Sequence, residues 1–380
     1  MQSLIKQVGG AERRLRARLR KLVEIESPSD DREAVNRAAD CVVGWARELG
    51  ADVKRHDGGS FGDVVELRFG AELSGRPVLL LGHLDTVYPQ GTLATMPWRE
   101  EDAEDGVRLR GPGVVDMKAG VVIAVEAIAA LRDLNALNRP VTLLLNPDEE
   151  VGSEVSRPHT ERLARESVAV FVLEPAQGLA YKTARKGVGH FEVTAQGMAA
   201  HAGVDFASGH SAVLEMARIV EQVSGWTDAS KGRTVNVGVI AGGTRSNVIA
   251  AHCRAEVDVR VVTMEDAARV EEMFRQLRTR DAACKLRIEG GINRPPMERR
   301  AGTVALFQTA KRLAAEIGLD LREAATGGGS DGNFTAAIGV PTLDGMGAVG
   351  GGAHSPGEFV VAGHLVERTA MLAGMIQAEL

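Results

Sequence analysis

Five stretches of the chain bring histidine or acidic side chains to places where chemistry could be done. The run "VLLLGHLDTVYPQG" (78–91) ends four apolar residues on a glycine and His83, with Asp85 two positions later. "LRGPGVVDMKAG" sets Asp116 in a glycine-rich loop, and "VTLLLN" runs into Pro147, Asp148, Glu149 and Glu150. "VAVFVL" ends on Glu174, and "GGAHSPGE" presents His354 in a second glycine-rich loop. Carboxylates gathered this closely repel unless a cation holds them. Two histidines and three carboxylates suit borderline-soft divalent ions, above all zinc, with cobalt or manganese able to substitute. Asp116 could bridge two ions ~3.5–4 Å apart. His83 and Glu174 would complete one ion, and Glu150 and His354 the other. Asp85 is placed to orient His83 through its second ring nitrogen. Glu149, beside a ligand but free to point elsewhere, could be the general base for an activated water. Each stretch alone has a plainer reading: a satisfied core histidine at a strand end, or acids favoured at a helix N-terminus. Their coincidence at several strand ends favours the metal reading.

Such a set needs a scaffold that delivers strand ends to one place. In an open parallel sheet, ligands bind beyond the carboxyl ends of the strands. Helices are expected at Ala11–Ile25, Arg32–Leu49 and Lys118–Arg132, and strands at Asp52–His56, Asp63–Phe69, Val78–Leu81, "VTLLLN" and "VAVFVLE". Strands alternating with helices predict an α/β fold with a mainly parallel central sheet covered on both faces. Near Tyr181 the texture changes. "KGVGHFEVTAQG", "TVNVGVIAGG" and "CRAEVDVRVV" alternate apolar and polar, with helices expected at Ser211–Val223 and Met264–Arg280. This predicts an inserted α+β domain over 183–291, inside a catalytic domain made of 1–182 and 292–380.

A chain of 380 residues is long enough for two cores, and 44% hydrophobic with 25% charged residues is ordinary for a globular protein. A net charge of −6 argues against nucleic acid as a partner. The cysteines Cys41, Cys253 and Cys284 are too scattered for a disulfide framework or a cysteine zinc site. The first residues lack the apolar run of a signal peptide, and no run approaches the ~20 residues of a spanning helix. The expectation is a cytoplasmic protein without a membrane partner. The glycine loops raise nucleotide binding, but no G-x-x-x-x-G-K-[ST] occurs.

"GHLDTV", "GPGVVDMKAG", "NPDEEVGS", "LEP", "AHAG" and "AHSPGE", in that order, resemble the co-catalytic zinc exopeptidase and aminoacylase family, most closely its glutamate-carboxypeptidase branch. The resemblance implies a di-zinc α/β catalytic domain with an inserted dimerisation or lid domain. It implies His83, Asp116, Glu150, Glu174 and His354 as metal ligands, Asp85 as the orienting aspartate and Glu149 as the base. It further implies His201 in "GMAAHAG" as a lid histidine acting across a homodimer interface on the oxyanion. Asn247 in "GTRSNVIA" and Arg260 in "VDVR" would contact substrate, and the backbone near Gly329 and Ser330 in "TGGGSDG" would line its pocket. Arg294 in "NRPPM" is a further carboxylate contact to consider. Ala200 stands where many members carry serine. The implied reaction is hydrolysis of an amide in a small acidic peptide or N-acyl amino acid, releasing a C-terminal residue such as glutamate. An N-acyl-amino-acid deacylase or desuccinylase is the near alternative, and a catalytically inactive metal-binding scaffold the remote one.

Overall fold

The computed structural model describes all residues from Met1 to Leu380. The chain divides into two compact units: Met1–Ala184, Arg299–Ala325 and Ser330–Leu380 form the first, and Arg185–Glu298 with Thr326–Gly329 the second.

The first unit is α/β. Its six-stranded sheet runs in the order Asp52–Asp57, Asp63–Phe69, Val141–Asn146, Val78–His83, Ala169–Val172 and Thr342–Leu343. The first two pairings are antiparallel and the other three parallel. All six residues of Val78–His83 and of Val141–Asn146 are buried, which explains their unbroken apolar run: strands covered on both faces need no polar alternation. Side chains still alternate across the sheet. Val78 and Leu80 join Leu143, Leu145 and Phe171 in one core, while Leu79 and Leu81 join Leu144, Val170 and Val172 in another. The first core is completed by the almost entirely buried helix Ala119–Asp133. Register matters for the site. His83 pairs with Asn146 and Leu81 with Val172, so three parallel strands stop at one level.

A second, antiparallel sheet was not anticipated. It orders Gly350–Gly351, Phe359–Val361, Gly106–Arg110 and Arg99–Ala103. Its short or charged strands carry little apolar periodicity, and the pairing that joins its two hairpins, Phe359–Val361 with Gly106–Arg110, spans about 250 residues. It brackets the Asp116 loop at one end and the His354 loop at the other. The N-terminal helix Gln2–Gly10 also escaped the sequence reading.

The second unit is a four-stranded antiparallel sheet in the order Thr234–Gly242, His252–Val261, Gly187–Gln196 and Lys285–Arg294. Helices Ala212–Ser224 and Met264–Arg275 supply the other half of its core, where Phe191 stacks on Phe274 at 3.8 Å. The strand His252–Val261 alternates buried and open positions along nearly its whole length. Lys285–Arg294 was the strand the pattern did not reveal, because Gly290 and Gly291 interrupt it. Gly290 has φ +96° and its missing Cβ would fall 2.1 Å from the His190 carbonyl oxygen, so only glycine fits. No helix is long and apolar enough to cross a membrane.

Candidate active site

The carboxyl ends of the parallel strands carry the cluster. His83 is the last residue of its strand, 1% exposed, with its backbone N–H directed to the Met117 sulfur at 3.4 Å. Its Nδ1 lies 3.0 Å from the Asp85 carbonyl oxygen and 3.3 Å from Asp85 Oδ1. Asp85 does more than orient that ring. Fully buried, it accepts the backbone N–H groups of Glu149 and Glu150 at 3.1 Å each, and the Ser29 hydroxyl at 2.7 Å. The turn that presents both glutamates is therefore anchored on the residue that anchors His83.

Asp116 sits in the irregular turn Val114–Lys118 with non-helical φ −117° and ψ 95°, ahead of the buried helix. The turn needs Gly113, which has φ +69° and whose added Cβ would meet Thr86 Cγ2 at 2.5 Å. His354 has φ +61°, a left-handed conformation uncommon outside glycine, in the loop before Phe359–Val361.

The side chains converge on Asp116. Its Oδ1 is 3.2 Å from His83 Nε2, and its Oδ2 is 3.3 Å from His354 Nε2. Glu174 Oε1 is 3.7 Å from His83 Nε2, and Glu150 Oε2 is 3.1 Å from His354 Nε2. Ligand atoms of His83, Asp116 and Glu150 lie within 4.8 Å of one another, as do those of His83, Glu149 and Glu174. Glu149 thus belongs to the same cluster as the expected ligands. Glu150 Oε1 is buried without a hydrogen-bond partner.

The charges are lopsided. Five carboxylates, those of Asp85, Asp116, Glu149, Glu150 and Glu174, face two imidazoles. His83 lies well above its ordinary pKa: burial would lower it, but hydrogen bonds to Asp116 and Asp85 and the charges of Asp85 and Glu149 prevail. His354 is pushed up to about 10 by its hydrogen bonds to Asp116 and Glu150. Asp116 falls below the usual carboxylate range, because the two histidines outweigh the effect of its burial.

These residues fit a pair of divalent ions. Ligand atoms on a tetrahedral zinc with bonds of ~2.0–2.1 Å stand about 3.3 Å apart. The histidine–carboxylate separations of 3.1, 3.2, 3.3 and 3.7 Å are of that size. The donor types are right, and a buried Glu150 oxygen lacks any other partner.

One residue that sequence reasoning missed is Glu358. It accepts hydrogen bonds from the N–H groups of Val115 at 2.7 Å, Asp116 at 3.0 Å and Gly113 at 3.2 Å, and from the Tyr88 hydroxyl at 2.6 Å. In the sequence it reads as one more glutamate after a Pro-Gly turn. Its proximity to His354 was the only signal.

The remaining expected residues belong to the second unit, except Ser330. Within the second unit, His201 is exposed and accepts the Gly203 N–H on Nδ1 at 3.1 Å, which in the neutral ring leaves the proton on Nε2. The exposed Asn247 is its neighbour: the Asn247 carbonyl accepts the Ala202 N–H at 3.0 Å, and His201 pairs with Val248. Arg260 is held by Asp258, Nε to Oδ1 at 3.0 Å and a terminal nitrogen to Oδ2 at 2.9 Å. Arg294 is buried and lies against Gly329, whose Cβ would fall 2.7 Å from Arg294 Cδ. Ser330, in the first unit, is fully buried. Its hydroxyl donates to Asp344 at 2.6 Å and its N–H to Asn333 at 2.9 Å.

Residues 79–378 match the family model described as Peptidase family M20/M25/M40. The chain is 30% identical over 370 residues to carboxypeptidase G2 of Pseudomonas sp. (strain RS-16), covering 94% of this chain and 87% of that one. Among solved structures, aminopeptidase PepT from Bacillus cereus superposes with a TM-score of 0.81 at 21% identity, covering 96% of this chain and 98% of that one. The YXEP protein of Bacillus subtilis, described as a dinuclear metal binding peptidase, superposes at 0.71 with 16% identity, covering 97% and 98%.

Proposed function

The chain belongs to peptidase family M20/M25/M40, and from that premise we propose that it is a two-metal amidohydrolase of the carboxypeptidase type. The observation that carries this reading is the division of Asp116, one oxygen toward His83 and the other toward His354, with Glu174 beside the first and Glu150 beside the second. His83, Asp116 and Glu174 would hold one ion, and Asp116, Glu150 and His354 the other. Zinc suits the donors, and cobalt or manganese could substitute. When bound, the ions would supply the positive charge that makes a water acidic near neutral pH and polarises the scissile carbonyl.

The chain's own residues do the rest. Glu149 takes the proton of the attacking water on its carboxylate and delivers it to the leaving amide nitrogen. The anchoring of its backbone on Asp85 keeps that carboxylate from wandering. His201 donates from Nε2 to the oxygen that gains charge in the transition state. Arg260, with Asn247, receives the free carboxylate of the substrate. Similarity to carboxypeptidase G2 supports release of a C-terminal residue, and the resemblance of the sequence motifs to the glutamate-carboxypeptidase branch puts glutamate first. A homodimer through the second unit is supported by its outer strand Thr234–Gly242, which has a partner on one side only, and by exposed Val239, Ile240 and Leu214.

The test is hydrolysis of a panel, with metal content measured on the same preparation. The panel holds aminobenzoyl-glutamate and other glutamyl amides, N-acyl-glutamates, N-acetylornithine, N-succinyl-diaminopimelate and neutral dipeptides. Glutamate release with two ions per chain is the expected result. Turnover confined to N-acetylornithine or N-succinyl-diaminopimelate would replace the carboxypeptidase reading with a deacylase one. Wild-type protein that binds no divalent ion would sink both.

A further inference from the structure

We propose that Glu358 is a positioning residue for the metal-binding set, tying the segments that carry His83, Asp116 and His354 to one another. This rests on the two-metal reading above and deepens it. Glu358 is fully buried and makes no direct ion pair: the buried Lys118 feels its charge, but the Lys118 ammonium donates to the Ile25 carbonyl oxygen at 2.7 Å instead. A buried carboxylate without a direct ion pair is costly unless several donors satisfy it. Here the donors are three backbone N–H groups of 113–116 and the Tyr88 hydroxyl. They come from two separate segments, and Glu358 itself supplies the third.

Each segment leads to a different expected ligand. Tyr88 follows His83 and Asp85 on the chain leaving the central sheet. The Asp116 N–H is the amide of the bridging residue itself. Glu358 closes the loop that begins at His354, and the Tyr88 hydroxyl also lies 2.9 Å from the Ser355 carbonyl oxygen, in that same loop. A single carboxylate therefore fixes the spacing between the two histidines and the aspartate between them. Asp85 plays the matching part for His83 and the Glu149–Glu150 turn. Two ions held by Asp116 would require its oxygens to stay aimed at both histidines, and the N–H of Asp116 on Glu358 Oε1 limits how that residue can turn.

The experiment is a zinc titration of full-length protein, stripped with chelator, against a chromophoric chelator. It is run on wild type, Glu358→Gln and Tyr88→Phe, with the melting temperature of each stripped protein measured in parallel. Glutamine keeps one acceptor oxygen but turns an N–H₂ toward donors that need an acceptor. Glu358→Gln is expected to lose about 10–100-fold in affinity for at least one ion, as loss of supporting contacts around metal ligands does. Tyr88→Phe is expected to lose affinity in the same direction by a smaller factor, with an unchanged melting temperature. Wild-type zinc affinity in a folded Glu358→Gln protein overturns the proposal, even if that protein melts earlier. If Glu358→Gln does not fold, Tyr88→Phe decides: wild-type affinity there overturns it. A wild type that fails to take up two ions defeats the two-metal reading before any variant is read, so the two failures are distinguishable.

Discussion

The carboxylate–histidine cluster of the first unit and the His201–Asn247–Arg260 set of the second are built in opposite ways. In the cluster, His83 and Asp85 are no more than 1% exposed, with His354 the one exposed ligand, and the backbone that carries the ligands is tied down by Asp85 and Glu358. His201 and Asn247 are exposed on loops held by a few backbone hydrogen bonds, and Arg260 is partly open beside Asp258. Buried, over-determined groups suit chemistry that tolerates little error in position. Exposed groups on loops suit recognition, where substrate must enter and leave. The contrast implies that substitutions in the cluster change metal content or the chemical step, while those in the second unit change activity without touching metal or stability.

Glu149 gives the largest expected effect. Glu149→Gln should lower kcat by about 10²–10⁴-fold at unchanged zinc content, the range for loss of a general base. Because Glu149 groups with His83 and Glu174 in the structure, the zinc measurement is decisive. Loss of an ion would make Glu149 a ligand and leave the base unassigned. For His201→Ala the expected fall in kcat is about 10²–10³-fold, as for loss of an oxyanion donor. Zinc content and melting temperature should not move, since the ring is exposed. A drop in melting temperature of several degrees would mean that His201 is structural and would break the comparison.

Arg260→Ala should be milder. Losing a charge-assisted contact of about 1.5–3 kcal/mol predicts a KM increase of roughly 10–100-fold for substrates with a free carboxylate. A neutral amide analogue should show no such increase. The bidentate hold of Asp258 makes this informative, because a guanidinium committed to Asp258 would leave KM unchanged on removal.

The same contrast governs what could be read from sequence. The first unit's central strands are apolar throughout because both faces are covered, so "VLLLGH" and "VTLLLN" announced themselves along with the residues at their ends. His83, Asp85, Glu149 and Glu150 were legible because strand, turn and side chain are neighbours in sequence. Asp116 and His354 were visible only as odd acids and histidines among glycines. What joins them, the antiparallel sheet of 99–110 with 350–361, pairs segments about 250 residues apart and has no periodicity to betray it. Glu358 was illegible for the same reason: its role consists of hydrogen bonds to residues more than 240 positions away. In the second unit, the alternating strands were legible and His201, Asn247 and Arg260 were not. Residues of those types are common on loops and strands, and only the resemblance singled them out.

The smallest expected effect on activity comes from Glu66, a buried carboxylate of the first unit that the chain neutralises by itself. Glu66 is fully buried and paired with Arg162 at 2.9 Å, His56 at 3.2 Å and Arg68. Burial would raise its pKa, but these partners hold it down at about 2, against 4.5 for an ordinary glutamate. The folded chain thus binds fewer protons here than the unfolded one. The stabilisation is present above pH 4.5 and is lost as the pH falls toward 2. It amounts to at most about 3 kcal/mol. Glu66→Gln should lower the melting temperature at pH 7 and flatten the decline in stability between pH 4.5 and 2, with kcat and zinc content unaltered. The contrast with Asp116 is then direct: Glu66 has two arginines and a histidine around one carboxylate, whereas the Asp116 cluster has two imidazoles among five. Substituting Glu66 should weaken the fold and spare the metal, and substituting Asp116 should abolish metal binding. If Glu66→Gln lost zinc, or kept the wild-type acid decline, the division between self-neutralised and metal-requiring carboxylates would not hold in this unit.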